Sequence, residues 1–367
     1  MSGGKRITEL DDNQITWIGR VPWSETVAQL VEMSRRRRVP VVFDIDDLLF
    51  RPELATIEII DGIRYMGLTE QGLRSLCERF RRTLSEADHF TTTTPTLARE
   101  ALALSKVATV IPNGYEQERL ARSLAARRDC DVGPRDGLVR IGYLSGTLTD
   151  QRDLAVTSRA LAAVLGKFSH ARLVLPRAGV NLDEFPELQA HSGQIEWREA
   201  VGRDETPLEY ARLDINLAPL ELGNPFCEAK SELKFLEAAL VSVPTVASPT
   251  QSYCGAIRHR ETGFLASDHQ QWCTVLQDLK ESSCANVLEF GRIRKFSALR
   301  SAATQIAPSR AYWPLVGLSC GIITFSRNPC QVGLRSRSAV ARNVAYRHLG
   351  DDANSSLIGG FQKRFLV

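Results

Sequence analysis

The sequence predicts an α/β chain of two parallel-sheet domains, the N-terminal one short. Three observations carry this expectation. Short apolar, β-branched runs alternate with amphipathic helical patterns in both halves of the chain. Turn residues such as Pro112-Asn113-Gly114 punctuate the runs. The 367 residues suit two domains of roughly 100–200 residues each.

In chain order, 14–18 reads as a strand and 23–38 as a helix with apolar Val27, Leu30, Val31 and Met33 on one face. The run Arg35–Arg38 closes that helix, where cations favour the dipole. Val39–Ile45 is a buried-strand candidate. Residues 73–87 form a second amphipathic helix, 89–93 a strand, 95–104 a helix and 107–111 a strand. Gly114 is expected to supply a left-handed turn after it. The charged stretch 116–137 reads as helix plus linker. A second unit then follows: strand 139–143, helix 153–168, strands 171–175 and 195–197, helix 206–211, strand 214–218, helix 231–240 and strands 245–247 and 264–266. The expected domains are therefore 1–137 and 138–285, with a divergent tail at 286–367.

Composition narrows the function classes. Hydrophobic residues are 43% and charged residues 24% of the chain, the balance of a globular protein with real cores. The formal charge of +3 points to no nucleic-acid partner. The tail from Arg300 is basic, with nine Lys/Arg against Asp351 and Asp352. Its charge leaves open a peripheral contact with the inner face of a membrane. The eight cysteines form no C-x-x-C pair, so they read as reduced thiols, and no metal site is expected. No signal-like N-terminus and no run of about 18 apolar residues is present. A cytoplasmic location is the expectation.

Ligands of parallel sheets gather outside the carboxyl ends of the strands. Strand 139–143 runs into Ser145-Gly146-Thr147 ahead of a helix, a natural phosphate site, with Arg152 beside it. The stretch NPFCEAKSELKFLE follows strand 214–218. Here Ser231 is an N-cap candidate, Lys230 and Lys234 could face a diphosphate, and Glu237 lies one turn beyond Lys234. Solvated charges on an amphipathic helix are the plainer reading of the same residues. Asp44, Asp46 and Asp47 follow the buried strand of the first domain. They suit a cleft-lining or acceptor role, a purely structural one, or metal chemistry.

Several of these stretches resemble a known family. IGYLSGTLTDQRDL, ARLVL, DINLAPLELGNPFCEAKSELKFLEAALVSVPTVAS and AIRHRETGFLA make residues 138–266 look like the C-terminal nucleotide-binding domain of the family-4, GT-B-type glycosyltransferases. VVFDIDDLLF, DHFTTTTPTLARE and VIPNGY make residues 39–115 resemble the N-terminal domain of bacterial, group-1-like members. The resemblance implies a GT-B-like pair of Rossmann-like domains facing a cleft. It further implies retaining transfer of a sugar from a nucleotide-diphosphate donor to a glycan, lipid-linked or small-molecule acceptor, with no obligatory metal or other cofactor. Cell-envelope polysaccharide synthesis is the setting of such enzymes.

On this resemblance the donor-binding residues are Ser145, Gly146, Thr147, Arg152, Lys230, Ser231, Lys234 and Glu237. Asp44, Asp46, Asp47 and Asn113 line the acceptor side. Glu237 matches the second Glu of the family's E-x7-E motif, but Ala229 stands at the first, which leaves neighbouring Glu228 as the catalytic candidate. Two alternatives follow: a degenerate, non-catalytic sugar-nucleotide-binding or scaffold protein, and a haloacid-dehalogenase-like phosphatase using Asp44 and Asp46.

Overall fold

The computed structural model describes residues 13–65, 67–132, 136–145, 148–281 and 321–326. They divide into two compact units. The first unit holds described residues 13–56, 68–112 and 321–326; the second holds 57–65, 67, 113–132, 136–145 and 148–281.

In the first unit the elements are β1 (Asn13–Gly19), α1 (Glu25–Arg36), β2 (Val41–Asp44), α2 (Glu70–Glu86), β3 (His89–Thr92), α3 (Pro95–Leu102) and β4 (Ala108–Val110). Strands β1 to β4 pair in parallel and in sequence order. Each helix start has a chemical cause. The Ser24 hydroxyl accepts from the Val27 amide at 3.2 Å, Thr69 from Gly72 at 3.0 Å and Thr94 from Leu97 at 3.2 Å, each satisfying an orphan first-turn donor. Leu73, Cys77, Phe80 and Leu84 then bury one face of α2, at the spacing a helix requires. Phe43 and Phe50 both pack on Phe90, with ring centroids 5.9 and 5.7 Å apart.

The second unit contains α4 (Gln117–Val132), β5 (Val139–Gly142), α5 (Gln151–Lys167), β6 (Ala171–Pro176), α6 (Pro186–Gln189), β7 (Ile195–Arg198) and α7 (Thr206–Ala211). It continues with β8 (Ile215–Ala218), α8 (Pro225–Glu228), α9 (Leu233–Leu240), β9 (Thr245–Ala247), α10 (Gln251–Ala256), β10 (Phe264–Leu265) and α11 (His269–Glu281). Its six strands run in the order β10-β9-β8-β5-β6-β7, all parallel. That is the doubly wound order, and its topological switch point lies between β5 and β8. Ile141, Leu173, Leu175, Ile215, Leu217 and Val246 of the strands share a core with Leu154, Leu161 and Leu165 of α5 and Trp272 and Leu276 of α11.

Residues 321–326, inside the segment expected as a divergent tail, form β11 (Gly321–Ser326), which pairs antiparallel with β1 at the sheet edge. Three expectations are corrected. The helix expected over 231–240 begins later, as α9 from Leu233, and Ser231 does not cap it; Asn224 instead caps the short α8 that precedes it, its side chain accepting from the Phe226 amide at 3.0 Å. Gly114 is not among the positive-φ glycines, which in the described residues are Gly67, Gly137 and Gly223. The turn after β4 therefore closes without left-handed backbone. Helix α11 was not expected at all.

Candidate functional site

The residues beyond the carboxyl ends of β5 and β8 come together in the second unit. Lys230, between α8 and α9, places its ammonium 3.1 Å from Asp150 Oδ1 and 2.9 Å from Asp153 Oδ2. Those two carboxylates stand at the start of α5. The Ser145 hydroxyl donates to Asp150 Oδ2 at 3.1 Å, and the buried Tyr143 hydroxyl donates to the Asp150 carbonyl at 3.0 Å. Cys227 Sγ lies 3.3 Å from Asp153 Oδ1. The loop after β5 and the loop after β8 are thus tied by one charged network.

Burial sets the electrostatics here. It opposes ionisation of Asp150, but Lys230 and Lys234 outweigh it and hold the carboxyl below its ordinary value. Burial likewise disfavours the Lys230 ammonium, and Asp150 and Asp153 outweigh it, so that amine stays protonated. Lys234 differs. Its Nζ sits 4.4 Å from the centre of the Tyr143 ring, a cation–π contact. Among the described residues its ammonium has no carboxylate or other hydrogen-bond acceptor. Burial pushes it down, and the nearby Lys230 charge adds to this against the pull of Asp150. An ammonium short of acceptors next to a second lysine is suited to an arriving anion.

The remaining predicted residues fall as follows. Gly146 and Thr147 lie outside the described residues. The Arg152 guanidinium is not directed to the Ser145 loop; it donates to the carbonyls of Ile57, at 3.2 Å, and Glu58 and pairs with Glu221. Ser231 accepts from Asn113 Nδ2 at 2.7 Å, which brings those two predicted residues together. Glu237 pairs with Arg119 of α4 at 2.7 Å and takes a hydrogen bond from Tyr210 of α7; burial nonetheless raises its pKa. Glu228 accepts from the Gly223 amide at 3.1 Å, closing its own loop, and Ala229 is buried. Sequence reasoning missed Asp150, Asp153, Tyr143, Arg119 and Tyr210. The acids at the first turn of α5 were the available signal for the first two.

In the first unit, β2 ends at Asp44, whose register partner is Thr91. The Thr91 hydroxyl donates to Asp44 Oδ1 at 2.5 Å. Burial pushes the Asp44 carboxyl up to about 7, the Thr91 hydrogen bond opposing and Asp46 adding. Arg20 holds Asp46 at 3.0 Å and also pairs with Asp47. Among the described residues no group of three or more His, Cys, Asp or Glu is arranged to hold a metal ion, and no helix is long and apolar enough to cross a membrane.

Comparison with known proteins agrees with this architecture. Residues 139–282 match the family model described as glycosyl transferases group 1. The second unit thus has the sequence pattern of a group 1 glycosyltransferase domain. Among solved structures it is similar to Alr3699/HepE of Anabaena in complex with UDP and glucose, at 13% identity and TM-score 0.52, over 77% of this chain and 74% of that one. The same Anabaena protein in complex with UDP-glucose matches at 14% identity and TM-score 0.51, over 77% and 75% of the two chains. A sucrose-phosphate synthase from Thermosynechococcus elongatus matches at 15% identity and TM-score 0.49, over 77% and 69%. No curated protein matches the chain by sequence. The fold is the GT-B type, with two parallel-sheet, Rossmann-like domains.

Proposed function

We propose that the protein transfers a sugar, with retention of anomeric configuration, from a nucleoside-diphosphate donor held by the second unit to a glycan, lipid-linked or small-molecule acceptor. The observation that carries this reading is the pair of ammonium groups at the switch point. Lys230 is fixed by Asp150 and Asp153, and Lys234 rests on Tyr143 with no acceptor among the described residues. As the bond between the anomeric carbon and the diphosphate breaks, its electrons move onto the phosphate oxygen. Preorganised cations beside that oxygen stabilise the developing charge. The acceptor oxygen bonds to the same carbon, and its proton leaves with the departing diphosphate.

Other roles follow from this placement. Ser145, Gly146 and Thr147 are assigned to the phosphates, and Glu237, supported by Arg119 and Tyr210, is assigned to the donor's hydroxyls. Asp44, Asp46 and Asp47, at the end of β2, receive acceptor hydroxyls on the first unit. The Anabaena neighbour was solved with UDP and UDP-glucose, which makes UDP-sugars the first donors to test. The work would proceed at a cytosolic membrane face in envelope polysaccharide synthesis.

One observation favours a second reading, a sugar-nucleotide-binding protein without turnover. Glu228 is engaged by the Gly223 amide, and the preceding motif position is a buried alanine. A panel of UDP-, GDP- and ADP-sugars, scored for nucleotide release with and without glycan acceptors, separates the two. Release that depends on Lys234 supports the transferase; tight binding with no release of any nucleotide supports the binding protein.

A further inference from the structure

Segment 57–65 lies in the chain between β2 and α2 of the first unit, yet it belongs to the second. Its contacts are specific. Asp61, 8% exposed, accepts through Oδ2 from the Arg152 backbone amide at 3.0 Å. Its Oδ1 takes Nε of Arg64 at 2.7 Å, and Arg64 in turn donates to Glu184 at 3.0 Å. The carbonyls of Ile57 and Glu58 take the Arg152 guanidinium. The Ile59 carbonyl takes Nδ2 of Asn224 at 2.9 Å. The segment is therefore fastened to both loops that flank the switch point, after β5 and after β8.

The Arg152 amide is in the first turn of α5, a 17-residue helix, where unpaired N–H groups and the helix dipole attract an anion. Such amides are commonly capped by a side chain a few residues away. Here the carboxylate comes from 91 positions earlier. Among the described residues, both anion-binding groups of Arg152, amide and guanidinium, are engaged by this segment, with Glu221 the guanidinium's other partner.

We propose that segment 57–65 is a built-in competitor of the donor's diphosphate: it occupies, through Asp61 and its own carbonyls, the amide and guanidinium of Arg152 that a bound diphosphate takes. The inference rests on the donor-site reading above. Two anions cannot share one helix terminus without mutual repulsion, so donor binding and segment docking oppose each other. When the docked form dominates, apparent donor affinity falls by the fraction of molecules left competent.

Calorimetric titration of the full chain with UDP, GDP and ADP tests this, comparing wild type with Asp61→Asn. That variant can still accept from the Arg152 amide but carries no charge. The nucleotide that binds wild type is expected to bind Asp61→Asn about three- to tenfold more tightly. Amide hydrogen exchange over 57–65 in wild type is expected to quicken when that nucleotide saturates. Arg64→Gln, which frees Asp61 from one anchor while keeping its charge, is expected to give a smaller gain and serves if Asp61→Asn misfolds. Unchanged or weaker binding in Asp61→Asn, with 57–65 protected by nucleotide, would make Asp61 a plain helix cap and overturn the inference, leaving the donor site intact. Failure of every nucleotide to bind either protein overturns the donor-site reading and this inference with it.

Discussion

Replacing Lys230 with methionine keeps most of the side-chain volume and removes the ammonium that faces both Asp150 and Asp153. The side chains of Lys230, Asp150 and Asp153 are 22%, 19% and 5% exposed, so little water replaces the lost partner. Removing one member of a buried ion pair costs about 3–5 kcal/mol. Residual exposure of Lys230 and Asp150 argues for the lower end, about 3 kcal/mol near neutral pH. For a unit of this size that corresponds to a fall of roughly 6–12 °C in Tm. The cost has a definite pH signature. In wild type the Asp150 carboxyl is held below its ordinary value, so the stability it contributes is present above the unfolded pKa and is lost as pH falls through the folded pKa. Without Lys230 that contribution disappears, and the gap between wild type and Lys230→Met narrows once the pH falls below the ordinary carboxylate value of 3.8. Scanning calorimetry at about pH 7.5 and about pH 3, which can separate the transitions of two units, reads both effects. A shift under about 2 °C at pH 7.5, or a gap that widens on acidification, would refute the reasoning.

Three further outcomes are expected. Lys234→Gln should leave stability nearly unchanged, because burial already disfavours the ammonium, yet weaken nucleoside-diphosphate binding by about tenfold or more; isothermal titration at two salt concentrations checks both the loss and a shallower salt dependence. Asp44→Asn should have little effect at pH 4 and stabilise the first unit as pH rises toward 8. The folded carboxyl at about 7 retains its proton above the unfolded value, so wild type loses stability across that window, with a ceiling of about 4 kcal/mol; urea titrations at pH 4, 6 and 8 read the trend. Glu237→Gln should lower stability through its buried contacts with Arg119 and Tyr210 by about 1–3 kcal/mol, and Arg119→Gln should lower it similarly. Additive losses in the double variant would mean that the pair does not act as a unit.

Much of the architecture was legible because parallel sheets write themselves plainly. Strands β5, β8 and β9 are short, mainly apolar runs, and α7 and β9 fall where the pattern places them. What was illegible depends on partners distant in sequence. Ser231 has the chemistry of a helix cap, but it accepts from Asn113, 118 residues away, so α9 begins at Leu233 without a side-chain cap. Glu237 reads as an acid without a protein partner until Arg119 is brought beside it by α4. Arg152 reads as a phosphate ligand because nothing local reveals that the carbonyls of Ile57 and Glu58 receive it. Strand β11 has an apolar pattern of only six residues, and its pairing partner β1 lies about 300 residues earlier. The lysines were found by motif and position; the acids that hold them, Asp150 and Asp153, were hidden in an ordinary helix start.

Amide hydrogen exchange of the full chain with and without a nucleoside diphosphate locates the bound anion without assuming any residue's role. Slowed exchange concentrated in residues 143–153 and 219–234 is the outcome expected if the loops after β5 and β8 form one phosphate-holding site. Protection confined to the strand ends of the first unit, with those two stretches unchanged at saturation, would contradict it.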